Sequence, residues 1–131
     1  MASCCEEART FFSQVESDRL PEIRRHPESW VLPKAILDKF EAMSNSGGSW
    51  GPDGFLYLSG HDPAEIYKMR LPQAGSVLEL VDTIPMNIRG QGIAWDRSDR
   101  GVIYGIIRAT AKEKAAGGTH KVTVFRLVDV P

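Results

Sequence analysis

Three small groups of residues have types and spacings that could do chemistry. The first is Gly47-Gly48-Ser49-Trp50-Gly51, which fits the G-x-S-x-G pattern, with Asp96 and His120 following in the order of an acid and a base. A nucleophile elbow needs a strand before the serine and a helix after it, because the tight turn exposes the hydroxyl. Here Pro52-Asp53-Gly54 and the apolar run Phe55 to Leu58 follow, which is a turn and then a strand. That context favours a glycine-rich strand open to close backbone approach over catalysis by Ser49. The second group is His61, Asp62 and Glu65, an imidazole and two carboxylates within five positions. Such a set could supply metal ligands. The plainer assignment is a turn, with Asp62 placed before Pro63, Glu65 in solvent and His61 bonded to backbone. The third is Gly90-Gln91-Gly92, which lacks the third glycine and the helix of a dinucleotide fingerprint.

Other polar runs carry less. Asp96-Arg97-Ser98-Asp99 reads as an Asx-type turn. It has too few alternating oxygen ligands for a calcium loop. Arg24-Arg25 is too short a basic run to mark a partner.

The elements that must position these groups change character along the chain. Residues 1–43 read as helical. Cys5, Ala8, Phe12 and Val15 recur at helical spacing behind Ser3 as N-cap. Leu20 to Glu28 reads as a polar linker, and Ser29 to Leu32 as a short strand. Pro33 suits the first turn of a helix over Lys34 to Met43, with Ile36, Leu37, Phe40 and Met43 as its apolar stripe. From Ser46 onward strands and tight turns alternate. The expected strands are Phe55 to Leu58, Ile66 to Leu71, Val77 to Val81, Gly92 to Trp95, Val102 to Ile107 and Lys121 to Leu127. Lys112 to His120 lacks a pattern and is expected to be a long, mobile hairpin loop.

Composition narrows the class. With 42% hydrophobic residues, 25% charged and a net charge of −1, the 131 residues fit one soluble globular domain. The balanced charge argues against a nucleic-acid partner. No run approaches the roughly 20 apolar residues of a membrane span, so no membrane partner is expected. Glu6, Glu7 and Arg9 stand where a signal peptide would be apolar, which makes the cytoplasm the expected location. The only cysteines, Cys4 and Cys5, are adjacent, which excludes an internal disulfide framework. No metal site and no cofactor are expected.

The strand region repeats. Ser49-Trp50, a turn containing Asp53, Gly54 and Phe55-Leu56-Tyr57 parallel Ala94-Trp95, a turn containing Asp96 and Asp99, Gly101 and Val102-Ile103-Tyr104. Ile66 to Leu71 likewise parallels Val122 to Leu127. The two tryptophans stand 45 positions apart, within the range of propeller blades. A four-stranded blade must stack on neighbours to bury its faces, so its pattern recurs. Trp50, Trp95, Tyr57 and Tyr104 are then blade core.

Residues 29–131 resemble the last two blades of a bacterial β-propeller of the NHL/YWTD-like type. The resemblance is carried by Met43 to Gly54, by Tyr57 to Asp62 and by Gly90 to Ser98. It covers about three-quarters of the chain and is specific for architecture and weak for activity. Propellers of this kind are often extracytoplasmic and close with about four to eight blades. This length holds two, which leaves a gene fragment, a truncated copy or a partner-dependent half-propeller open. The resemblance implies a mainly β fold of two blade-like antiparallel meander sheets preceded by one or two short helices. Residues 1–28 form an N-terminal helix and linker, and residues 29–131 the two-blade domain. It also implies a channel-facing ligand site at Asn45, Ser49, His61, Asp62 and Gln91. The expected function is a non-catalytic binding or scaffold module for an unidentified small molecule, with self-association through open blade faces. The alternative is part of a propeller hydrolase, lactonase-like and metal-assisted, with His61 and Asp62 at the channel.

Overall fold

The structure, a computed structural model, describes residues 29–90 and 92–127. The helix expected from Cys5, Ala8, Phe12 and Val15, the linker to Glu28, and Gln91 lie outside the described residues.

The fold is mainly β. Helix α1 (Lys34–Phe40) precedes a four-stranded sheet of β1 (Gly47–Trp50), β2 (Leu56–Ser59), β3 (Glu65–Arg70) and β4 (Glu79–Pro85). A three-stranded sheet follows, of β5 (Ile93–Trp95), β6 (Val102–Ile107) and β7 (Lys121–Arg126), with α2 (Ala111–Ala115) between its last two strands. Both sheets are antiparallel meanders in chain order. Short turns impose that order from β1 to β4 and from β5 to β6, being too short for a crossover, while the longer β6–β7 connection, which holds α2, also returns antiparallel.

Side-chain alternation sorts the sheets into layers. In the first sheet, Leu56, Leu58, Tyr67 and Met69 turn one way and pack with Leu78 against Ile36 and Phe40 of α1. Tyr57 and Ile66 turn the other way, onto Ile93, Trp95 and Ile103 of the second sheet and onto Met86 and Ile88 of the connection between sheets. The layers therefore run α1, first sheet, second sheet. Tyr57 meets the Trp95 ring edge-on at 4.8 Å between centroids. The sheets meet where β1 lies beside β5, and the Trp95 N–H donates to Ser49 Oγ at 3.1 Å.

Several boundaries differ from the sequence expectation. Ser29 to Leu32 is no strand; it makes a single parallel bridge, Val31 to Val77. Helix α1 ends at Phe40, not Met43, because Glu41 takes φ +54 and turns the chain toward β1. Leu37 and Met43 are left about half exposed, so the apolar stripe overstates the buried face. The fourth strand runs to Pro85, not Val81, because β3 pairs with it as far as Glu65 opposite Pro85. A bulge between Lys68 and Met69 shifts its register.

The largest correction concerns Lys112 to His120. That stretch is not a plain loop, since Lys112 to Ala115 belong to helix α2. Thr110 Oγ1 accepts from the Glu113 N–H and the Glu113 carboxylate accepts from the Thr110 N–H, a capping box. Gly117 at φ +89, with its N–H bonded to Lys114 O and that of Gly118 to Glu113 O, closes the helix as a Schellman motif.

Gly105 shows how tightly the connection between sheets is seated. A Cβ there would stand 2.4 Å from Ile88 Cγ2 and 3.0 Å from Met86 Cε. Gly105→Ala is expected to cost about 1–3 kcal/mol through overpacking. Gly92→Ala, whose nearest neighbour is Ile106 Cδ1 at 3.8 Å, should be neutral or stabilising. Denaturant melts of the two variants test this. Equal midpoints would contradict the packing described.

Candidate functional site

The strand registers bring three connections to one end of the molecule. Gly47 pairs with Ser59, Ser59 with Ile66, and Glu65 with Pro85. In the second sheet Ile93 pairs with Gly105 and Ile107 with Lys121. The residues after β2, those after β4 and those after β6 therefore leave from this end. An isolated bridge from Arg89 to Ile107 stitches two of them together.

His61, Asp62 and Arg108 form the centre. His61 Nδ1 lies 2.8 Å from Asp62 Oδ1, and its Nε2 is in contact with Arg108 Nη1. An arginine can only donate. Nε2 is thus the acceptor, and Nδ1 carries the proton that is donated to Asp62. Arg108 Nη2 is 3.6 Å from Asp62 Oδ1, beyond hydrogen-bond length. Three-quarters of the Arg108 side chain is buried, whereas the Asp62 side chain is 70% exposed. The result is a half-buried guanidinium whose nearest carboxylate is displaceable.

Neighbouring groups hold Arg108 in place. Arg89 Nε donates to Arg108 O at 2.8 Å, and the Arg108 N–H donates to Arg89 O at 2.9 Å. The Arg89 Nη2 group donates to both carboxylate oxygens of Glu113, at 3.2 and 3.0 Å. The Thr110 N–H and this guanidinium lower the Glu113 pKa. Gly90 sits at φ +66, where a Cβ would come within 2.8 Å of His61 O and 3.1 Å of Arg108 Nη1. Only glycine fits that close approach.

The sequence-derived candidates separate into two sets. His61 and Asp62 stand together at this end. Asn45 lies nearby, before β1, with its amide nitrogen oriented to donate to Gly47 O at 3.2 Å and Ser59 O at 2.9 Å. Ser49 is inside β1, where its hydroxyl accepts from the Trp95 backbone between the sheets. Glu65 turns toward α1, receiving Lys39 at 2.8 Å and the Tyr67 hydroxyl at 2.8 Å. Those two donors lower the Glu65 pKa, Lys39 first.

No hydrolase constellation forms from Ser49, Asp96 and His120. Asp96 follows β5 at the opposite end, accepting from Tyr104, Ser98 and the Asp99 N–H. His120 precedes β7 and accepts the Ala109 N–H at 2.9 Å. Both ring nitrogens of His61 are engaged, and among the described residues no group of three His, Cys, Asp or Glu side chains could hold a metal ion. Two buried polar atoms, Ser59 Oγ and Trp95 Nε1, have no hydrogen-bond partner among the described residues.

Arg108, Arg89 and Glu113 were not expected from sequence. Arg108 reaches His61 across 47 positions, a separation with no local signal. Glu113 was legible, because Thr110 and Glu113 have capping-box spacing.

No helix among the described residues is long and apolar enough to cross a membrane. No protein family profile matches the sequence, and no curated protein or solved structure matches it either.

Proposed function

We propose that this chain is a non-catalytic, β-propeller-type binding module that takes a small anionic molecule at the loop end shared by its two sheets. The observation that carries the reading is the Asp62–His61–Arg108 chain, which joins the loop after β2 to the loop after β6. A half-buried guanidinium with a rigid backbone mount suits a carboxylate or phosphate, which two parallel N–H groups can grip. An arriving anion would take the place that the exposed Asp62 carboxylate holds at 3.6 Å.

Two further features support a blade-like repeat. Trp50 pairs with Leu56 and Ser49 with Tyr57, just as Trp95 pairs with Ile103 and Ala94 with Tyr104. In each copy the tyrosine hydroxyl donates to an aspartate of the preceding turn, Tyr57 to Asp53 and Tyr104 to Asp96. Consecutive sheets that touch through their first strands, β1 and β5, are what neighbouring blades present to a central channel.

The test is an amide NMR titration of the full chain with acetate and with inorganic phosphate. Shifts should cluster at His61, Gly90 and Arg108. Arg108→Ala should weaken binding about 10- to 100-fold, the equivalent of one charged hydrogen bond. Absent or scattered shifts, or unchanged affinity in that variant, would refute the reading.

A further inference from the structure

The hydrogen bonds of His61 fix what a proton would do there. Its Nδ1–H donates to Asp62 and its Nε2 accepts from Arg108, so the ring is neutral as it stands. Imidazole is the side chain whose charge changes near neutral pH. A second proton can only go to Nε2. Nε2 then becomes a donor facing Arg108 Nη1, which is already one. Two opposed donors leave a place for an acceptor between them, and an anionic oxygen is one that both can share. The Nδ1–H stays on Asp62, whose carboxylate steadies the imidazolium. Asp62 faces the ring from its own loop, and Arg108 from the loop after β6. Behind Arg108, Arg89 of the connection between the sheets and Glu113 of α2 neutralise each other. His120, before β7, is bonded to the Ala109 N–H, and Glu65 is bonded to Lys39.

We propose that the site takes up a monocarboxylate together with one proton, which His61 receives at Nε2. The inference rests on the anion-binding reading above. Charge balance carries it. The side chains of His61 and Arg108 are 23% and 25% exposed, so uncompensated charge between them is costly. While His61 is neutral, Arg108 and Asp62 cancel. An anion added to that state leaves one negative charge in excess, and it meets the Nε2 lone pair. With His61 protonated, two cations face two anions. Asp62 cannot take its charge out of the site, because it adjoins His61 in the chain and holds Nδ1 at 2.8 Å. It gives up Arg108, from which it already stands 3.6 Å away, and keeps the ring. By linkage, a carboxylate that favours the protonated ring also draws the proton to it. Affinity therefore rises as pH falls, until His61 is protonated before the anion arrives.

Acetate is the probe, because it stays charged through the range in which imidazole titrates. Its affinity for the full chain is read from the amide shifts of His61, Gly90 and Arg108. That affinity should fall by up to about tenfold per unit as pH rises between about 6 and 8. In His61→Gln, whose amide can donate but cannot change charge, it should be flat over the same range. The His61 ring signal should titrate at a higher pH with acetate than without it. That signal needs no variant, so it decides even where His61→Gln does not fold or bind. Clustered amide shifts with a pH-independent affinity and an unmoved ring titration would show that acetate simply displaces Asp62. Anion binding would then stand and proton uptake would fall. A slope that survives in His61→Gln would assign the proton to His120 or another group, which also overturns the proposal. No acetate binding at any pH overturns both readings.

Discussion

Replacing Tyr57 with alanine is expected to remove about 3–5 kcal/mol of stability, the usual cost of deleting a buried aromatic side chain. Tyr57 is 1% exposed and is the hinge of the inter-sheet core, edge-on to Trp95. Small domains hold only about 5–15 kcal/mol in total, so this one change should leave the fold marginal at room temperature. Tyr57→Phe separates packing from polarity. It keeps the ring and deletes the 2.6 Å hydrogen bond to Asp53 Oδ2. The Asp53 side chain is only 3% exposed, and it keeps Lys68 at 3.1 Å and the Phe55 N–H at 3.2 Å. Loss of one charge-assisted bond to a buried carboxylate should cost about 1.5–3 kcal/mol. Tyr104→Phe is the control, since the equivalent pair with Asp96 lies at the surface and its loss should be much smaller. Urea denaturation of the three variants measures the series. If Tyr57→Phe matched Tyr104→Phe, the buried Tyr57–Asp53 pair would not be a stabilising element.

Local signals made most of this architecture legible from sequence. Pro52-Asp53-Gly54, the turn around Asp62-Pro63 and the Asp96 turn each fall between strands, because their backbone demands are met by the residues present. The Trp and Tyr positions of the two copies pair in equivalent registers, but Trp50, expected in the blade core, is 57% exposed whereas Trp95 is buried. What failed depended on partners elsewhere in the chain. The stripe through Leu37 and Met43 suggests a longer helix, but the buried surface ends at Phe40. Thr83, Ile84 and Pro85 become strand only because β3 offers them a ladder, which no propensity announces. Helix α2 is the exception. Its capping box and its glycine exit were both local, and the alanines and glycines of the segment masked them.

The candidate site was half legible. His61 and Asp62 could be named because they are adjacent in sequence and an imidazole with a carboxylate could supply ligands. Arg108 could not, since its role exists only where the loops after β2 and β6 meet. Ser49 illustrates the opposite error. A motif serine and a channel position both suggested an exposed hydroxyl, yet the fold uses it to receive the Trp95 N–H. A small acceptor at that point lets β1 and β5 approach, so the residue type reflects packing.

Alkaline unfolding should follow from the chain's three tyrosines, each of which donates to a carboxylate: Tyr57 to Asp53, Tyr67 to Glu65 and Tyr104 to Asp96. Burial, and then the carboxylate bond, raise the pKa of Tyr57 and of Tyr67. For Tyr104 the bond to Asp96 is the main cause of a raised value. A phenol whose folded pKa lies above its unfolded value of about 10 stabilises the fold fully below that pH. As pH climbs from there toward the folded value, the unfolded state loses protons that the native state keeps, and stability falls. The carboxylates behave in the opposite sense. For Asp53, burial alone would raise the pKa, but the bonds from Tyr57, Phe55 and Lys68 outweigh it and the net shift is downward. Its contribution is complete above the ordinary carboxylate range near pH 4 and fades below it. Stability should therefore form a plateau across neutral pH. Absorbance at 295 nm, recorded with circular dichroism from pH 8 to 13, reads the alkaline edge. Two tyrosinates should appear only as the sheet signal collapses, with Tyr104 titrating before them at the surface. Three tyrosinates forming near pH 10 with the sheet signal intact would show that the buried hydroxyl–carboxylate pairs do not hold the sheets together.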